Sequence, residues 1–217
     1  MAAIVSGKTL EESRTRSPVR RFPIQHDRVS TSPPPVRLRA YRSQPEGIPN
    51  LACLSCTQPP EDDLIIAFTD HFKVILHPNQ CGLGNVIIAT RRHIARISDF
   101  NASDTAEFIP LFTILEPALE AAFGAEIVNL YYQRNWAFRS ENPDPPFKDG
   151  KPNPHVHFHI VPRYSKPVEF EGRTWTDATF GEPFVWGRLS LPPEMRRSII
   201  CRIQSKLDLA WEDIPTT

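Results

Sequence analysis

Asn153-Pro154-His155-Val156-His157-Phe158-His159-Ile160-Val161-Pro162-Arg163 places three of the chain's seven histidines at every second position, with apolar residues between them. That is strand alternation, with a period of two. It sends the three imidazoles to one face and Val156, Phe158 and Ile160 to the other. At roughly 3.3 Å rise per residue, neighbouring rings are expected about 6–7 Å apart. A row of imidazoles suits a phosphate, or a metal beside a phosphate. A neutral imidazole nitrogen is a competent nucleophile toward phosphorus, and a second imidazole can hydrogen-bond an oxygen on which charge develops. Three imidazoles converging on one ion is a poorer match, because bonds near 2 Å cannot be reached from rings so far apart. A single histidine on a strand is ordinarily structural, but three in strict alternation would be costly on a buried face without partners.

Cys53-Leu54-Ser55-Cys56 is a second chemical motif, with the spacing of a metal knuckle. A Cys2His2 site would need two histidines from elsewhere. Cys81 and Cys201 have no partner by spacing and read as packing residues.

These groups need a scaffold. Leu64–Thr69 and Phe72–Leu76 predict a hairpin turning at Asp70-His71. Asn85–Thr90 predicts a largely apolar, central strand, after a loop over 77–84. Phe108, Leu111, Phe112, Leu115, Leu119 and Ala122 form a helical stripe. Asn101 or Ser103 is placed to cap its start and Gly124 to end it, and Pro110 and Pro117 predict a kink or break. Glu126–Gln133 predicts a further strand. Arg134–Pro154 is a long proline-containing loop before the histidine strand. Ile199, Ile200, Ile203 and Leu207 mark a C-terminal helix after Pro192-Pro193. The sum is an α+β domain, an antiparallel sheet of about five strands with helices on one face. Residues 51–167 hold the domain and 168–217 an extension with a helix. Residues 1–50, rich in Arg, Ser and Pro, read as a leader that is disordered or draped over the body.

The 25 basic and 25 acidic residues balance to zero, which argues against a general polyanion binder and gives no strong nucleic-acid signal. No apolar run approaches a membrane span and no signal-peptide pattern opens the chain. A cytoplasmic protein is expected, with organelle targeting by the leader as the alternative.

The pattern at 155–161 resembles the histidine triad (HIT) superfamily of nucleotide hydrolases and transferases. Gly84-Asn85-Val86-Ile87-Ile88-Ala89-Thr90-Arg91-Arg92-His93 is similar to that family's strand and the basic segment after it. Asn153-Pro154-His155 resembles the galactose-1-phosphate uridylyltransferase branch. The resemblance implies a HIT-like fold and His157 as the nucleophile, with His159 assisting. It implies a structural zinc on Cys53, Cys56, His93 and His155, and a homodimer. It puts His77 at a ribose-binding position usually held by Asp or Asn, with Asn79 nearby. Asn85 stands where most members have histidine. Asn135 aligns with a phosphate-contacting Asn, and Lys151 and Asn153 lie where the family has a phosphate-binding loop; Arg134, Arg139 and Lys148 are further candidates. The implied activity is hydrolysis or nucleotidyl transfer at the α-phosphate of a dinucleoside polyphosphate, phosphoramidate or sugar nucleotide. The alternative is a scaffold that binds a nucleotide or metal without turnover.

Overall fold

The computed structural model describes residues 36–39, 53, 56 and 64–210. Expectations for most of the leader therefore lie outside the described residues. At its end, β1 (Leu38–Arg39) joins the sheet and Leu38 is buried. The other sheet strands are β2 (Ile65–Phe68), β3 (Phe72–Leu76), β4 (Val86–Thr90), β5 (Ile127–Tyr132), β6 (His157–Arg163) and, beyond the extension's hairpin β7 (Val168–Phe170) and β8 (Arg173–Trp175), β9 (Leu209–Ala210). Sheet order is β5-β6-β4-β3-β2-β1-β9. All neighbours are antiparallel except β1 and β9. The five expected strands are thus the contiguous block β2 to β6, and two-residue strands extend one margin.

The β2–β3 turn falls at Asp70-His71. It is held by Glu107, whose carboxylate accepts from the Thr69 hydroxyl at 2.6 Å and the His71 N–H at 2.8 Å. Alternation then sorts the two faces. Phe72, Val74, Leu76, Val86, Ile88, Phe158 and Ile160 are buried in the core, and the register sets Ile88 against Phe158 and Val86 against Ile160. Helix α1 (Ala102–Phe123) covers this face. Phe108 lies 4.2 Å from Phe158 and 5.7 Å from Phe72, ring to ring.

Asn101 caps α1 in a reciprocal box with Asp104, and Gly124 ends it at φ +74. Of the kink or break expected at Pro110 and Pro117, the break does not occur: the helix runs on through both. An interior proline costs about 3 kcal/mol. Leu111, Leu115, Leu119 and Phe123 are all buried along the helix, at roughly 1.5–3 kcal/mol each, so packing outweighs the local penalty. Gly84 precedes β4 at φ +76, and a Cβ there would meet Phe123 at 2.7 Å. Only glycine lets the strand start so close to the helix.

Helix α2 (Pro193–Gln204) packs beside α1 and against β2. Its Ile199 and Ile203 enter the same core, and Gln204 donates to the Ile66 carbonyl at 2.9 Å. Cys201, read from the sequence as a packing residue, is exposed on α2 instead, because the apolar stripe of that helix runs through its isoleucines. Among the described residues, no helix is long and apolar enough to cross a membrane.

Candidate active site

β4 and β6 position the site. Ala89 faces His157 and Ile87 faces His159 across the ladder. Both imidazoles therefore leave the sheet opposite α1, flanked by small or apolar side chains. Their centroids are 5.0 Å apart, nearer than the strand rise alone gives, because the rings lean together.

His157 has a defined tautomer. Its Nδ1–H donates to the His155 carbonyl at 2.8 Å, since a carbonyl can only accept. Nε2 is left with its lone pair. Burial lowers the His157 pKa, an effect that the bond to the His155 carbonyl and the Asp144 charge oppose. His159 is pushed down to about 3, by burial first and then by the neighbouring His157 and His77. Its buried Nδ1 has no partner among the described residues.

His77, the ribose-position candidate, lies in the same group, with its ring 5.2 Å from that of His159. Its Nδ1 accepts the Asn79 N–H at 2.9 Å, and burial lowers its pKa to about 4. Asn85 is fully buried two residues before Ile87 on the same face. Its carbonyl accepts from the His77 N–H at 2.9 Å and from Gln80 at 2.8 Å. Neither atom of its side-chain amide has a partner among the described residues. Asn153 is buried beside His155. Asn135 sits on a 3-10 turn (Asn135–Phe138), exposed, and lines an open cavity of about 430 Å³ with Tyr132, Gln133, Arg134 and Phe138. Lys151 is exposed in a turn where its backbone and that of Lys148 bond reciprocally. The geometry thus gathers His77, Asn85, His157 and His159 on one face, and leaves Asn135 and Lys151 on the surrounding loop.

The sequence reading missed Trp186. Its indole stacks on His77 at 5.4 Å and 30°, and meets His159 edge-on at 5.2 Å. Tyr131, opposite His159 on β5, lies 6.5 Å from the Trp186 ring. Phe184 and Trp186 are two aromatics in a stretch bounded by Pro183 and Gly187, a signal of burial against something. Nothing periodic said against what.

The second motif closes as a four-donor cluster. Ligand atoms of Cys53, Cys56, His93 and His155 all lie within 4.8 Å of one another. Cys53 Sγ and Cys56 Sγ are 3.4 and 3.5 Å from His155 Nδ1, and Cys56 Sγ is 3.6 Å from His93 Nδ1. Tetrahedral bonds of about 2.3 Å to sulfur and 2.0–2.1 Å to nitrogen put S···N edges at roughly 3.5 Å. The donor set therefore fits a divalent ion. His155 Nε2–H donates to the Thr90 carbonyl at 2.8 Å, which turns Nδ1 toward the cluster and fixes its tautomer. The Cys56 thiol is held well below its usual range by hydrogen bonding with Cys53, against burial, with further help from His155 and His93. His155 thereby belongs to this cluster, and His157 and His159 remain as the imidazole pair beside it.

Fold and site together define an α+β domain with a histidine pair on a sheet face, beside a Cys2His2 cluster. No family model and no curated protein matches the sequence. Among solved structures, the chain is similar to a hypothetical histidine triad nucleotide-binding protein from Sulfolobus tokodaii strain 7. The identity is 14%, the match covers 66% of this chain and 82% of that one, and the TM-score is 0.49. It is also similar to a Zn-bound histidine triad family protein from Mycobacterium smegmatis, at 17% identity, covering 70% and 94% with a TM-score of 0.46. A uridylyltransferase mutant matches at 18% identity over 71% of this chain and 48% of its own, so the chain spans about half its length, with a TM-score of 0.46. Likenesses this distant assign no activity.

Proposed function

We propose that the chain is a HIT-type nucleotide hydrolase or nucleotidyltransferase that works at the α-phosphate of a nucleoside phosphate through a nucleotidyl-His157 intermediate. One observation supports this above the rest: the 2.8 Å bond from His157 Nδ1–H to the His155 carbonyl. It leaves an unprotonated Nε2 beside a second imidazole on a partly buried sheet face. In the first step the Nε2 lone pair forms a bond to phosphorus, and the bond from phosphorus to the leaving group breaks with its electron pair. The imidazolium so formed keeps its Nδ1–H on the His155 carbonyl, and the adjacent phosphoryl charge offsets its burial. His159 is placed to hydrogen-bond a phosphoryl oxygen. In the second step water, or a second phosphate compound, attacks phosphorus. The P–N bond breaks and the nucleoside monophosphate leaves, free or on the acceptor.

Cys53, Cys56, His93 and His155 would hold a structural zinc. Bound there, it would tie the knuckle to the strand that presents His157 and supply no open coordination position for substrate.

His157→Ala is expected to abolish monophosphate release while thermal unfolding stays within a few degrees of wild type. Substrates would be drawn from dinucleoside polyphosphates, nucleoside phosphoramidates and sugar nucleotides. Full activity in that variant would remove the assignment. A second reading, binding without turnover, is favoured by Asn85, which stands buried where the resembling family has a proton-bearing histidine. Mass spectrometry after a denaturing quench at alkaline pH, which spares the acid-labile P–N bond, separates the two readings. A nucleotidyl adduct on His157 marks catalysis, and a melting shift with ligand but no adduct and no release marks binding.

A further inference from the structure

Residues 177–190 cross the histidine face as a strap pinned at both ends. At one end, Arg163, nearly fully buried on β6, bonds Asp177 through Nε at 2.5 Å and Nη2 at 3.1 Å. It also donates to the carbonyls of Thr179 at 2.6 Å and Glu182 at 3.1 Å. At the other end, Asn79 donates to the Gly187 carbonyl and accepts the Leu189 N–H, both at 2.8 Å, and the Gln80 N–H donates to the Leu189 carbonyl. Between these anchors, residues 183–186 make no backbone hydrogen bond among the described residues. This crown is held by its rings. Phe184 lies against the Arg163 guanidinium at 5.2 Å and meets Trp186 edge-on at 5.0 Å.

Trp186 is thus carried over the active face on a segment fixed in place yet unbonded at its apex. His77 backs one face of the indole, while His159, Tyr131 and Phe184 meet it at steep angles. Among the described residues no ring lies parallel to the second face, and Trp186 remains partly exposed. His77 is uncharged at neutral pH, so the stack is a flat, neutral plate. Such a plate is a platform for another planar group, and a nucleotide with its phosphate at His157 carries one.

We propose that Trp186 is a specificity-determining residue that stacks the base of the nucleotide whose phosphate meets His157. This rests on the nucleotide reading above. A base on an indole gains a sequence-tolerant interaction, so the effect is on recognition of the base and not on the phosphate chemistry.

The test is isothermal titration of wild type, Trp186→Phe and Trp186→Leu with adenosine 5′-monophosphate and with ribose 5-phosphate, which lacks the base. Wild type is expected to prefer the nucleotide. Trp186→Leu keeps an apolar side chain, though a smaller one, without an aromatic face. It should lose about fivefold to a hundredfold of that preference, the range of base–aromatic stacking, while ribose 5-phosphate binds as before. Trp186→Phe should keep most of the preference. Three results would overturn the proposal: a wild type with no preference, an unchanged preference in Trp186→Leu, or tighter binding of both ligands there, the mark of a plug. Monophosphate release and its loss in His157→Ala are measured separately, so the catalytic reading can fail while this one stands, and the reverse.

Discussion

Three imidazoles, His77, His157 and His159, share one small patch, and burial keeps each short of protons. For His77 and His159 the consequence for stability has a definite sign. Each titrates near 6.5 when unfolded, but near 4 and 3 in the fold. Between those values the unfolded chain binds more protons, so stability rises with pH through that window and is lost as pH falls below about 6.5. Denaturant unfolding at steps from pH 7.5 to pH 5, above the range of the carboxylates, should show the slope. His77→Gln and His159→Gln should each flatten it. Slopes unchanged in the double variant would mean that these rings are better solvated than the fold implies. The alternation that puts His157 and His159 together was legible because it needs only the strand period. The Trp186 contact was not, because its partners lie about 27 and 109 residues away and no local rule links them.

At the scale of elements, the knuckle and the strand that presents His157 are tied through His155. Its ring joins the Cys/His cluster, and its carbonyl holds His157 Nδ1–H at 2.8 Å. The metal is therefore expected to act on catalysis through orientation, and its loss should lower stability and activity together. About one equivalent of zinc per chain is expected by elemental analysis of the purified protein. Stripping it with a chelator, or Cys53→Ser, should lower Tm by on the order of 10 °C, since a few kcal/mol of binding energy shifts a chain of this size by about 2–4 °C per kcal/mol. Activity should return with re-added zinc. A chelated protein that keeps its Tm and its rate would show the cluster to be dispensable. The sequence pointed to these ligands through Cys-x-x-Cys and the resemblance. The break that it allowed in α1 at Pro110 and Pro117 does not occur, because propensity reads each residue alone and the buried leucine row keeps the helix continuous. The strap went unseen because long-range anchors such as Arg163–Asp177 hold it, not periodicity, whereas the β7–β8 hairpin is a local pairing about Glu171-Gly172 that the reading passed over.

For the whole molecule, the question is what lies beside β5. The margin at β9 is two residues long, a short edge that pairs poorly. The margin at β5 is six residues long, and its Ile127 and Leu130 are 41% and 39% exposed. A long edge with exposed apolar side chains is a template for another strand, and a second copy paired antiparallel about a two-fold axis would satisfy both edges at once. Tyr131 on this strand faces His159 and touches Trp186, so pairing there would also stiffen the flank of the site. Light scattering behind size exclusion should give twice the 24.7 kDa of one chain at micromolar concentration. Leu130→Lys, which sets a charge on that edge, should return the mass to that of one chain with the fold retained. A wild type that runs as a single chain at tens of micromolar would leave β5 a true free edge and the site complete within one protomer.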